Sequence, residues 1–208
     1  FDYFKGTLPE FPAGKPLFIF ASHFHADHYA PVIFQLGEKR ENVFYILSKE
    51  IGKKIPEEYR KRYKDRMRLV KAGERFCLNI SEESLIVETF HSTDEGVAFW
   101  LSCEGKEIYH AGDLNNWWWE GEDMAWNRNM AASYKQEMKK LSGRTADLAF
   151  IPVDPRLGQW FYLGAAGFME QADTKWIFPM HFWEDYTIIP KLIEHSSSEG
   201  WRDRILEL

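Results

Sequence analysis

His23-Phe24-His25-Ala26-Asp27-His28 places four side chains able to bind a metal ion within six residues. Imidazole nitrogens are borderline donors suited to zinc, manganese or iron, and a carboxylate adds an anionic oxygen that binds a cation or orients its water. Successive residues near a strand end project to different sides, so His23 and His25 can face one cation while Asp27 and His28 face a second. Two neighbouring cations need more donors than one loop supplies. Three positions offer them: His91 after Glu88-Thr89-Phe90, Asp113 in Tyr109-His110-Ala111-Gly112-Asp113, and His181 in Phe178-Pro179-Met180-His181. Polar residues that merely end a strand are the plainer reading of the loop, and these further donors weigh against it. His110, inside its strand, reads as a structural histidine, and His195, in a C-terminal helical segment, as structural or solvated.

Such donors act together only if the chain carries them to one edge. Pro16-Leu17-Phe18-Ile19-Phe20-Ala21 is an apolar run of strand length, expected to be buried on both faces, and it ends where the histidine loop begins. Val43 to Leu47 reads as a second strand, Ile55 to Arg68 as a charged, solvated helix or connection, and Leu69 to Gly73 as an edge strand. Leu85 to Phe90, Val97 to Ser102 and Glu107 to His110 form a meander separated by glycine-containing turns. Asp147 to Val153 and Lys175 to Pro179 are further strands, and Gly164 to Ala172 and Ile188 to His195 suit helices. Strands interleaved with helices along one chain of 208 residues, 45% of them hydrophobic, indicate a single α/β domain over 1–208. A Trp-rich, helix-compatible segment at about 114–142 is expected to be an insertion in it.

With its HxHxDH loop followed in order by a separate His, an Asp and a final His, the chain resembles the metallo-β-lactamase superfamily over nearly its whole length. That resemblance implies a four-layer αββα sandwich, here without the hairpin that usually opens the family's domain. The missing hairpin would mean a truncated chain or a partner covering the sheet edge. It also implies that His23, His25 and His91 bind one metal, that Asp27, His28 and His181 bind the other, and that Asp113 bridges them. The implied cofactors are two divalent metal ions, zinc in the first place and manganese or iron as alternatives. In that setting a metal-bound hydroxide attacks a small ester, lactone or phosphodiester, and Asp27 is the catalytic residue that orients it or accepts its proton.

The family's true β-lactamases differ at one or more ligands, and its flavodiiron-type members replace a loop histidine with a carboxylate. Its large nucleases carry an extra domain that 208 residues do not accommodate. What remains resembles the compact branch that includes ascorbate-6-phosphate lactonase-like proteins. Two other functions stay open on the same ligands: an iron-dependent oxidoreductase resembling the sulfur dioxygenases, and a metal-stabilised binding domain without turnover.

Among the residues that would choose a substrate, Trp117, Trp118 and Trp119 follow Asp113 closely and suit either a pocket wall or a core anchor. Arg156 could bind a carboxylate or phosphate, or simply pair with Asp154. Tyr162 and Trp183 are weaker candidates for the pocket, and Asp94 is a candidate to hydrogen-bond a ligand histidine. A net charge of −6 disfavours nucleic acid and leaves a small-molecule substrate, an anionic one included, as the expected partner. No apolar run is long enough to span a membrane, a homo-oligomer remains open, and a cytoplasmic setting is the default.

Overall fold

In the computed structural model, which describes residues 1–12, 14–80 and 83–207, the chain forms two sheets. The first is wholly parallel, with strands β1 (Leu17–Ala21), β2 (Val43–Ser48) and β3 (Met67–Val70) in that order. Parallel neighbours need a crossover between them. Helix α1 (Ile33–Lys39) and helix α2 (Glu57–Arg62) supply the two crossovers. The second sheet runs β4 (Arg75–Ile80), β5 (Glu83–His91), β6 (Val97–Cys103), β7 (Lys106–His110), β8 (Thr145–Pro152) and β9 (Asp173–Met180). It is antiparallel through β7 and parallel from β7 to β9. Helix α3 (Met124–Met138) joins β7 to β8, α4 (Leu163–Gln171) joins β8 to β9, and α5 (Ile188–Glu194) follows β9.

Side-chain alternation turns these elements into layers. Ile19, Ala21, Tyr45 and Leu47 face outward and pack with Ile33 and Phe34 of α1. Their neighbours Phe18, Phe20, Phe44 and Ile46 face the second sheet, where they meet Val87, Phe99 and Leu101. On the far side of that sheet Ala98, Trp100 and Tyr109 meet Tyr134 of α3 and Phe168 of α4. Three apolar seams therefore bind four layers, helix, sheet, sheet and helix. Because both sheets are buried on both faces, the central strands read as continuous apolar runs.

The sequence placed most of these elements, with three differences. Helix α1 and strand β4 carry no expectation from the sequence. The edge strand expected at Leu69 to Gly73 runs instead over Met67–Val70, where Met67 pairs with Tyr45, and Gly73 at φ 79° already turns. Phe1 to Phe4 lie outside both sheets. There the backbone N–H of Asp2 donates to the Phe20 carbonyl at 2.8 Å. No helix among the described residues is long and apolar enough to cross a membrane.

Candidate metal centre

Strands β1, β5, β7, β8 and β9 all send their C-terminal ends toward one rim, and every residue of the two ligand groups follows one of those ends. The two sheets come into backbone contact there at Ser22. Its carbonyl accepts from the Val97 N–H at 3.0 Å. A Cβ at Gly96 would lie 1.9 Å from that carbonyl, and one at Gly112 would lie 2.7 Å from the Ser22 Cβ. Both glycines also have positive φ, so each is required twice over, by backbone conformation and by space.

Around this point the ligand atoms fall into two groups, each within 4.8 Å. His23, His25, Asp94 and Asp113 form the first, and Asp27, His28 and His181 form the second. In the first, His23 Nε2 lies 3.0 Å from His25 Nδ1 and 3.3 Å from Asp113 Oδ2, and Asp94 Oδ2 lies 4.0 Å from His25 Nδ1. In the second, Asp27 Oδ2 lies 3.5 Å from His28 Nε2 and 3.6 Å from His181 Nε2. Asp113 belongs to both, since its other oxygen, Oδ1, is 3.2 Å from His28 Nε2 and 3.6 Å from His181 Nε2. Both Asp113 Oδ1 and His28 Nε2 are buried without a hydrogen-bond partner. Buried polar atoms are normally satisfied, and a nitrogen and a carboxylate oxygen converging unpaired fit a cation between them.

His91 stands outside both groups. It is exposed at the end of β5, where its Nδ1–H donates to the Ser92 carbonyl and its backbone N–H donates to Glu137 of α3 at 3.2 Å. Beyond it the chain folds back over the rim, with the Asp94 N–H held by Ser92 Oγ at 3.1 Å. This turn brings Asp94, itself exposed, to 4.0 Å from His25 Nδ1. A carboxylate thus occupies the position that the sequence reading gave to His91, because α3 engages the strand end and the turn delivers the next donor.

Two further carboxylates orient ligands from outside, and the sequence reading assigned neither. Asp2 accepts from His28 Nδ1–H at 2.8 Å and from the Ser22 N–H and Oγ–H, both at 2.7 Å. Asp154, fully buried, accepts from His181 Nδ1–H at 2.9 Å. Each carboxylate fixes the proton on Nδ1 and leaves Nε2 facing the group, the arrangement that raises ligand basicity at metal sites. The signal for Asp154 was its place after a buried strand, whereas Asp2 is 26 residues from His28 and no spacing could announce it. His181 itself has φ 62° and Trp183 φ 52°, so a left-handed turn aims one ring at the centre and the other over the cleft.

Electrostatics follow from this wiring. Burial alone would lower the His28 pKa, but the hydrogen bond to Asp2 and the charges of Asp2, Asp113 and Asp27 outweigh it and hold His28 at about 9. Burial likewise opposes ionisation of Asp113 and Asp154. The surrounding histidines hold Asp113 below its ordinary value, and His181 with Arg156 holds Asp154 at about 2. In the metal-free protein the Asp2–His28 pair stabilises the fold fully below the ordinary imidazole value of 6.5, and the contribution is lost as pH rises through about 9. A cation taking Nε2 must displace the His28 proton. Affinity at the second group is therefore expected to climb with pH and level off near 9, a profile that competition with a chromogenic chelator would trace.

Above the two groups opens a cleft of about 430 Å³. Trp117, Trp119 and Trp183 form its walls together with Arg156. Trp117 is both core and wall: its Nε1–H donates to the Asp113 carbonyl at 2.9 Å while its ring sits edge-on to His181 at 5.3 Å. Arg156 pairs with Asp154 through Nε at 3.0 Å and lies over the Trp183 ring at 4.5 Å. Trp118 turns away to pack against Trp160. Tyr162 is not on the cleft; it stacks on His195 at 4.1 Å. His110 is buried with Nδ1 accepting from the Gly112 N–H at 3.1 Å, a structural arrangement, and burial lowers its pKa to about 4.

No family model matches the chain, and no curated relative does. Among solved structures it is similar to CmlA, a diiron β-hydroxylase from Streptomyces venezuelae, at a TM-score of 0.51 and 13% identity, covering 88% of this chain and 42% of that one. Zn²⁺-bound PqqB from Methylobacterium extorquens gives 0.45 and 12%, covering 80% and 62%. YhfI from Bacillus subtilis, a metallo-β-lactamase fold protein, gives 0.45 and 11%, covering 87% and 71%. The chain thus spans about two fifths of the length of the hydroxylase. With two facing sheets between helix layers and the HxHxDH loop at their common rim, the chain has the four-layer αββα sandwich that its resemblance to the metallo-β-lactamase superfamily implied.

Proposed function

We propose that the chain is a dinuclear metal-dependent hydrolase acting on a small ester, lactone or phosphodiester. The observation that carries this reading is Asp113, whose two oxygens face two separate ligand groups and one of which is buried unpaired beside His28. Two cations held there would lower the pKa of a water they share and polarise a carbonyl or phosphoryl oxygen. The chain's own part is to position and to shield. Asp113 sets the spacing of the two groups, and Asp2 and Asp154 keep the His28 and His181 rings aligned. Asp27, a third exposed where the His28 and His181 rings are buried, lies between the second group and the cleft, placed to orient water and accept its proton. The tryptophan walls restrict water around the reacting bond.

Elemental analysis of the purified protein, paired with turnover assays on lactone, phosphodiester and carboxylic ester substrates, tests this. Two zinc or manganese ions per chain with hydrolysis of one class is the expected outcome. Full loading without turnover of any class would sink it.

Asp94 favours one second reading. With it, each group holds two histidines and a carboxylate of its own besides the shared Asp113, a donor pattern that suits ferrous iron and dioxygen. Tightly bound iron with dioxygen consumption would establish that reading in place of hydrolysis.

A further inference from the structure

A second cleft, of about 590 Å³, adjoins the first along α3. The two share Thr93, Asp94, Trp126 and Met130, so the wall between them is no more than the Asp94 turn and one helical step of α3. We propose that this second cleft is the subsite for the non-reacting part of the substrate, and that this part is a neutral, hydroxyl-rich group such as a sugar ring or polyol. The proposal rests on the metal centre being where the substrate reacts.

The lining argues for that chemistry. Trp126, Asn129, Ser133 and Gln136 follow one another at helical spacing, three and four residues apart, and so form one stripe of α3 facing the cleft. The stripe offers an indole face followed by two amides and a hydroxyl, all uncharged. From the opposite wall comes His91, whose Nδ1 is committed to the Ser92 carbonyl, leaving Nε2 available. Among the described residues no Lys or Arg lines the cleft, which disfavours an anion there. Its two carboxylates are engaged elsewhere: Asp94 belongs to the first ligand group, and Glu137 accepts from Lys140 at 2.6 and 2.7 Å. A purely apolar group would strip water from Asn129 and Gln136 without replacing it, at a cost. A sugar ring satisfies both halves of the stripe, its C–H face against Trp126 and its hydroxyls on the amides.

Met130 lies at the junction of the two clefts and supplies a reporter. The protein is labelled with [methyl-¹³C]methionine, loaded with zinc and titrated with methyl glycosides of glucose, galactose and mannose, with inositol and with glycerol. The Met130 signal is assigned with Met130→Leu. At least one of these probes is expected to shift it saturably, and the Asn129→Ala/Gln136→Ala double variant, changed only at exposed positions, to weaken that binding about tenfold. A signal unmoved by every probe overturns the proposal, and so does a shift that the double variant leaves unchanged. Because binding is read without turnover, the two ideas separate: sugar binding with no hydrolysis removes only the hydrolase reading. Hydrolysis of ethyl acetate and 6-O-acetylglucose with equal KM removes only the subsite.

Discussion

Asp113→Ala is expected to empty both ligand groups at once and to abolish turnover. No other side chain among the described residues offers an oxygen to each group, so its loss should weaken metal binding by more than the roughly 10–100-fold that removal of an outer carboxylate costs. The variant should still fold, because Asp113 sits at the rim beyond β7 and not in any of the three apolar seams. Circular dichroism run beside elemental analysis checks both halves. Asp113→Asn refines the result, since it keeps the shape and removes the charge that helps hold the His28 proton. Two metals per chain and full activity in the alanine variant would refute the bridging role.

Asp94→Ala and His91→Ala are expected to part company. Loss of Asp94 should cost the first group its cation and most of the activity while the second, built on Asp27, His28 and His181, keeps its own. Loss of His91 should leave two metals per chain, because its ring is turned to the Ser92 carbonyl beside α3. Metal counting on the two variants decides the matter, and one metal per chain in His91→Ala with two in Asp94→Ala would restore the assignment suggested by the family pattern. Asp94→His, which returns an imidazole to that position, would show whether the carboxylate itself matters.

The contrast between these two residues marks where sequence reasoning stopped. The loop from His23 to His28, Asp113 and His181 were legible because each follows a strand whose apolar run is plain in the sequence. All six converge as ligand atoms in two groups. His91 also follows a strand, and by that rule it was indistinguishable from the others. What separates it from Asp94 is the turn over the rim and the Glu137 contact from α3, both long-range facts that no local spacing encodes. The same holds for Asp2, and for strand β4, whose Arg75-Phe76-Cys77-Leu78-Asn79 alternation is half-exposed and gains its identity only by pairing with β5. Arg156 was readable either as an anion clamp or as an ion-pair partner, and the buried Asp154 beside it takes the guanidinium. Tyr162 sits in a helix-leading turn where its ring stacks on His195, just past α5.

The close approach at Ser22 gives the centre one more property. Its loop ligands hang from the first sheet, while Asp94, Asp113 and His181 hang from the second, and Gly96 and Gly112 hold the two in register. A pair of cations bound across that seam is a ruler laid between the sheets. Each group draws ligands from both sheets, so a change that slides one sheet over the other, whether from pressure, heat or a mutation in the Phe20–Phe99 contact, would displace the ligands of both groups. Magnetic coupling between two paramagnetic ions placed in the site would then measure the mechanical compliance of the core.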